Sequence, residues 1–251
     1  ARGLATVAAL VALALAALPA PRAGAEVAQA GGVRLRLDAE LVPRELPRER
    51  PVPVAIRVSG SISSVDGGPP PPARRLVIEL NRAGRLHDRG LPRCRAAALQ
   101  STTTERALEL CGPARVGSGG FDAELPLSTA TVPLSGRILA FLGGGPGRPQ
   151  LILHLHAAAP VRATFVLPMR IERRPRGRFG TVLRTRIPRL AAGLGTITAV
   201  RLRVGRTWRI EGRRRALLSA RCAAPPGFGG GLFPLARARF GFGPGREVGA
   251  R

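Results

Sequence analysis

The stretch LPRCRAAALQSTTTERALELCGPARVGSGG, from Leu91 to Gly120, contains the one segment of the chain that reads as a helix. Thr102-Thr103-Thr104-Glu105 has the form of a capping box, in which a Thr hydroxyl accepts from a free amide and the Glu reaches back. Ala107, Leu108 and Leu110 supply an apolar side. Gly112 then stands where a left-handed cap is expected, and Pro113 blocks continuation. A helix of about ten residues is marginal alone in water, so something must hold it to the rest. Cys94 and Cys111 flank it, and a bridge between them closes a loop worth roughly 3 kcal/mol on the chain-entropy model. Neither cysteine belongs to a C-x-x-C pair, which favours a structural staple over a redox or metal pair.

Outward from this cassette the dominant period is two. Val33, Leu35 and Leu37 alternate with Arg34, Arg36 and Asp38, and Val52, Val54, Ile56 and Val58 share one face. Further rows run through Leu76 to Leu80, Leu151 to Ala157, Phe165 to Ile171, Leu183 to Ile187 and Val200 to Val204. The last two are Ala216, Leu218, Ala220 and Cys222, then Ala236, Ala238, Phe240 and Phe242. A strand, Val116 to Leu127, is expected to leave the cassette. Such alternation with Arg on the wet face is the mark of half-buried antiparallel strands. Gly and Pro punctuate the intervals at residues 67–72, 143–149, 174–177 and 225–231. The pattern predicts a mainly β protein, an antiparallel β-sandwich-like architecture with one short disulfide-stapled helical excursion. The expected organisation is a β-rich domain over residues 26–245, with 143–149 as the plausible internal boundary and 246–251 as a flexible tail.

The run from Leu4 to Leu18 is uncharged, is preceded by Arg2, and leads into Ala23-Gly24-Ala25. It reads as a secretory signal peptide over residues 1–25, too short for a membrane span. No later segment is long and apolar enough to cross a bilayer as a helix. The expected location is therefore secreted or in the cell envelope, an oxidising setting in which a disulfide persists. Removing the leader with Arg2 and Arg22 lowers the formal charge only from +25 to +23. A charge of that size ordinarily signals a polyanion partner. The composition tempers the inference, because every basic residue is Arg, Lys and Tyr are absent, and Asn81 is the sole Asn. This is the bias of GC-rich codons, and the Arg are spread along the whole chain. A solvated basic surface with weak, non-specific polyanion contact is the expectation.

The segments LVIELNRAG, GLPRCRAAALQSTTTERALELCGPARVGSG, RFGTVLRTRIPRLAAGLGTITAVRLRVGR and RRRALLSARCAAPPGFGGGLFPLARARF resemble a group of uncharacterised secreted proteins of high-GC actinobacteria. There a strand leads to G-L-P-x-C, then L-Q, T-x-x-x-A, a second Cys and V-G-S-G. Aromatic residues at Phe179 and Trp208 agree with the group. The resemblance implies export and a β-rich fold and attaches no activity, cofactor or site residue.

His154 and His156 lie at i, i+2 and so on one strand face, a geometry that can chelate a metal. Their face is opposite Leu151, Leu153 and Leu155, which predicts that they point to solvent. A third ligand would have to come from His87 or a distant carboxylate. Gly117-Ser118-Gly119-Gly120 lacks the strand-then-helix order of a nucleophile elbow, with Ser118 expected in a turn. Gly143-Gly144-Gly145 precedes Pro146 rather than a helix, so it offers no phosphate cradle. Cys222 reads as a small buried thiol, although spacing alone allows it to replace Cys94 or Cys111 in the bridge. The expected protein is a non-enzymatic, cofactor-free structural or binding module. The alternatives are a polyanion-binding protein using its dispersed Arg, and a hydrolase built on Ser118.

Overall fold

The computed structural model describes residues 26–126, 130–145, 147–188, 195–222, 224, 236–243 and 246–250. The proposed leader and the Gly/Pro-rich segment 225–231 lie outside them. Among the described residues there are sixteen strands: β1 (Glu26–Ala30), β2 (Val33–Val42), β3 (Val52–Ser64), β4 (Arg75–Asn81) and β5 (Gly84–Leu86) precede the cassette. Its helix, α1 (Thr104–Cys111), is followed by β6 (Arg115–Pro126), β7 (Thr131–Gly145), β8 (Arg148–Ala157), β9 (Ala163–Arg173) and β10 (Phe179–Arg186). Then come β11 (Thr196–Val204), β12 (Thr207–Ile210), β13 (Arg213–Ala216), β14 (Leu218–Ala220), β15 (Ala236–Gly243) and β16 (Arg246–Ala250).

Fourteen strands form one antiparallel sheet, twelve of them in the order β1-β2-β3-β11-β6-β7-β8-β9-β10-β4-β15-β16. The sheet is nearly closed. Val33 and Leu35 near one end pack against Phe242, Val248 and Ala250 at the other. A circular barrel of that many strands would leave a lumen wider than side chains fill. Here the inner faces meet instead. Val54, Val116 and Leu218 share one cluster with Met169, Ile171 and Leu183 from strands that are not their neighbours in the sheet. One curled sheet thus provides both layers of the sandwich-like arrangement. The strand β14 pairs with β3 and β5 off the main path, and β12 with β13 forms a separate hairpin. No helix among the described residues is long and apolar enough to cross a membrane.

The period-two rows fall on strands, but several expected boundaries move. Residues 143–149 are no domain boundary: β7 and β8 pair without interruption up to Gly145↔Arg148, so the segment is a hairpin turn. The expected tail is β16, paired to β15 from Ala238↔Ala250 to Gly243↔Arg246. The row Ala216 to Cys222 divides at the buried Leu217, with β13 in one sheet and β14 in another. Cys222 lies beyond β14, half-buried and unbridged, its amide donating to the Pro47 carbonyl.

Among the described glycines, Gly119 leaves the least room for a side chain. A methyl group there would lie 1.8 Å from the carbonyl oxygen of Arg201 on the adjacent β11, and a backbone atom cannot step aside. Gly119→Ala is expected to cost about 3 kcal/mol, read from urea midpoints. Gly112→Ala serves as control, since nothing lies within 4 Å of its added carbon and its φ of −50° suits any residue.

Candidate functional site

The cassette lies on the outer surface of the sheet over β7, β8 and β9. Ala107, Cys111 and Leu99 pack against Leu139, Phe141, Ile152 and Val166, and Cys94 is bridged to Cys111. The other faces of those strands line the inner core, so Ile138 through Leu142 are all buried. Gly143 permits the close approach, because an added methyl would meet the Cys94 carbonyl oxygen at 2.9 Å and Ile152 Cδ1 at 2.3 Å. The Cys94 amide donates to Leu142 O at 2.8 Å. The helix begins one residue later than a Thr102 cap would place it: Thr103 is the cap and accepts from the Arg106 amide at 3.2 Å. Gly112 is right-handed rather than left-handed, and the chain tightens into a 3-10 turn, Gly112–Ala114. Leu110, expected on the apolar side, is exposed.

Thr102 is thereby free for another task. His154 and His156 do face away from the inner core, yet that outer face is covered by the cassette, and both are buried. The Thr102 hydroxyl donates to Leu99 O at 2.8 Å, and the Thr164 hydroxyl donates to Thr102 O at 2.9 Å. Each hydroxyl has one proton, so the remaining contacts assign the ring protons by donor counting. His154 Nε2–H donates to Thr102 O at 3.1 Å and faces its Oγ1 at 3.0 Å. His156 Nδ1–H donates to Thr164 Oγ1 at 2.9 Å. Among the described residues the buried His154 Nδ1 has no hydrogen-bond partner. Among the described residues no three His, Cys, Asp or Glu are grouped to hold a metal. The pair is a polar layer that seats the cassette.

Burial holds the His154 pKa below the usual value of 6.5, with the nearby His156 acting in the same direction. A protonated Nδ1 would place a charge and an unpaired donor in an apolar seam. The folded pKa lies below the unfolded one, so this stabilisation is complete above about pH 6.5 and is lost as pH falls toward the folded value. His87 acts with the same sign, its pKa lowered by burial and then by Arg85, Arg173 and Arg215. Urea midpoints between pH 7 and 5.5 are expected to fall in the native protein. In His154→Gln the slope should shrink, each such His accounting for at most about 1.4 kcal/mol per pH unit. An unchanged slope would remove His154 from the acid-sensitive set.

The serine of the Gly-Ser-Gly segment stands elsewhere. Ser118 is an exposed residue within β6, opposite Arg203 and Leu139 in register, and not in a turn. Among the described residues the side-chain hydrogen bonds of the three histidines go to Thr102, Thr164 and Ser219. The serine that meets a histidine is Ser219 on β14, 2.9 Å from His87 Nε2. The adjacent Asp88 is held by Arg93 at 2.7 Å and Arg173 at 3.0 Å, so its carboxylate is committed to two guanidinium groups.

The Arg, dispersed in sequence, are gathered by the strand register. Across β9, β10 and β4, Arg170 stands directly opposite Arg184, and Arg186 directly opposite Arg75. Arg237 and Arg239 on β15 project from the same outer face, opposite Glu79 and Val77. Beneath them Glu79, 1% exposed, binds Arg237, Arg174 at 3.1 Å and Arg239 at 3.7 Å. Burial alone would raise its pKa, but the hydrogen bond and charge of Arg237, with the charges of Arg239 and Arg174, outweigh that and hold it low. Arg184 reaches Glu172 at 3.1 Å and Arg75 reaches Glu247 at 3.2 Å, while Arg170 and Arg186 are exposed and have no side-chain partner among the described residues. On the far side, the outer face of β2, β3 and β11 mixes Arg with Ser59, Ser61 and Ser63, and Glu40 there neutralises Arg44 and Arg57. Sequence reasoning missed the Arg face because pairing partners such as Arg75 and Arg186 are far apart in the chain.

The fold and these features define a nearly closed antiparallel sheet carrying a disulfide-stapled cassette and an Arg-lined outer face. No protein-family model, no curated protein and no solved structure matches the chain.

Proposed function

We propose that this chain is an exported, non-enzymatic binding module whose ligand is an anionic polymer lying along the outer face of β9, β10, β4 and β15. One observation carries the reading: Arg170 faces Arg184 and Arg186 faces Arg75 directly across adjacent strands. Like charges so placed destabilise a sheet. Glu172 and Glu247 offset Arg184 and Arg75, at 3.1 and 3.2 Å, so a bound polyanion supplies the missing counter-charge to Arg170 and Arg186. A codon bias toward Arg explains how many there are, but not why they are opposed. The contacts are of the phosphate-neutralising kind, because Tyr is absent and Trp208 is the only Trp, which leaves few platforms for stacked bases. The Cys94–Cys111 bridge suits a working place outside the cytoplasm.

Long-chain polyphosphate titrated into the protein at several salt concentrations provides the test. Arg75→Gln with Arg186→Gln is expected to flatten the dependence of log affinity on log salt by about 0.7 per lost contact, and to weaken binding at every salt concentration. An unchanged slope, or polyphosphate binding that resists salt, would overturn the assignment. Binding to anionic vesicles with none to polyphosphate would show that the face meets a membrane instead.

A further inference from the structure

The Arg face ends in an open groove of about 750 Å³ beside the start of β8 and the end of β9. The ladder between these strands stops at Gln150↔Arg170, while β9 continues through Ile171 to Arg173 with only β10 beside it. The β8 strand diverges there because it begins at the tight turn around Gly147, whose φ is +74°, followed by Pro149, which has no amide to donate. Arg148, Gln150, Arg170, Glu172 and Arg173 line the opening. Two of the charges are already committed: Glu172 to Arg184, and Arg173 to Asp88. Arg148 and Arg170 have no side-chain partner among the described residues, and Arg148, Gln150 and Arg170 share the outer face.

Resting on the polyanion reading above, we propose that this groove is an end-binding subsite for the terminal phosphoryl group of a phosphate chain. Internal phosphates of such a chain carry about one charge each, whereas a terminal one carries close to two at neutral pH. The two uncommitted guanidinium groups, each able to bind bidentately, match the doubly charged end. The Gln150 amide adds a neutral donor, and Glu172, neutralised by Arg184, does not oppose the ligand. The flat part of the face holds the chain along its length, and the groove selects its end.

Calorimetric titration of the full chain with tripolyphosphate, at constant ionic strength, separates the two roles. Arg148→Gln is expected to weaken tripolyphosphate binding at least about tenfold, the loss of one charge-assisted contact. Arg75→Gln with Arg186→Gln should leave tripolyphosphate binding within about twofold while weakening long-chain polyphosphate. Equal tripolyphosphate affinity in native protein and Arg148→Gln would overturn the subsite, even if the face still binds long chains. Long-chain binding that is insensitive to Arg75 and Arg186 but lost in Arg148→Gln would overturn the face and keep the subsite. Binding of phosphatidic acid vesicles with none to tripolyphosphate would overturn the soluble-chain end as ligand. The urea midpoint of Arg148→Gln should match the native value, because Arg148 takes no part in any ion pair of the described residues, and that of the double variant should fall by no more than the exposed Arg75–Glu247 pair is worth, about 1 kcal/mol or less.

Discussion

Cys94→Ala combined with Cys111→Ala is expected to lower the unfolding free energy by about 3 kcal/mol, within the roughly 2–5 kcal/mol typical of a bridge in a secreted domain. The loop it closes spans 17 positions and contains the 3-10 turn Ala96–Leu99, Thr102 and all of α1. Eight residues of helix are too few to persist unaided, so the unbridged segment relies on the apolar contacts of Leu99, Ala107 and Ala114 with Leu139, Phe141 and Ile152. Loss of those contacts would also open the seat of His154 to water. The double variant should therefore show a lower urea midpoint, together with a His154 that titrates closer to an exposed histidine by NMR. The β signature in circular dichroism should persist at low temperature, since every strand of the sheet lies outside the bridged loop. Unchanged melting combined with lost polyphosphate binding would make the cassette a ligand site instead of a support.

Glu79→Ala is expected to cost about 3–5 kcal/mol, as does removal of one partner from a buried ion pair generally. Its carboxylate is the shared counter-charge for Arg174, Arg237 and Arg239, and the truncation leaves three guanidinium groups facing one another without it. Arg237 also stacks over the Phe179 ring, 4.9 Å from its centroid, so its position is fixed by two contacts. Because the folded pKa of Glu79 is depressed, its stabilising effect is present above the unfolded value of about 4.5 and fades as pH falls toward the folded one. Glu79→Gln keeps the shape and should fall between native protein and Glu79→Ala in urea midpoint. Equal stability of all three would show that the Arg cluster needs no buried anion.

Much of the molecule was legible because the period of two is a local property. Alternation of Val33, Leu35 and Leu37 with Arg and Asp sets which face of β2 is buried, whatever β2 pairs with. The helix ends were nearly legible for the same reason, a cap being a matter of three or four residues. Short-range placement favoured a bridge between Cys94 and Cys111, and the structure removed Cys222 as the alternative partner. The histidines show where local pattern stops being enough. Alternation correctly put His154 opposite Leu153 and Leu155, but it could not say what covers the second face. The available signal was the unbroken apolar run Ile138-Leu-Ala-Phe-Leu142 on the neighbouring strand, which marks a strand buried on both sides.

Sequence alone determined the β class, the cassette, and the alternation of Arg with apolar residues along many strands, and it favoured the Cys94–Cys111 staple that the structure contains. Tertiary structure decided the rest: the near closure of the sheet, the covering of β7 to β9, and the convergence of Arg75, Arg170, Arg184 and Arg186. Strand order sets those outcomes. The strand β4 lies beside β10 and β15 only after the chain has passed through the cassette and most of the sheet. Register then places each Arg opposite its neighbour through backbone hydrogen bonds that are blind to side-chain identity. Periodicity fixes which way a side chain points, and only the long-range ladder fixes what it points beside.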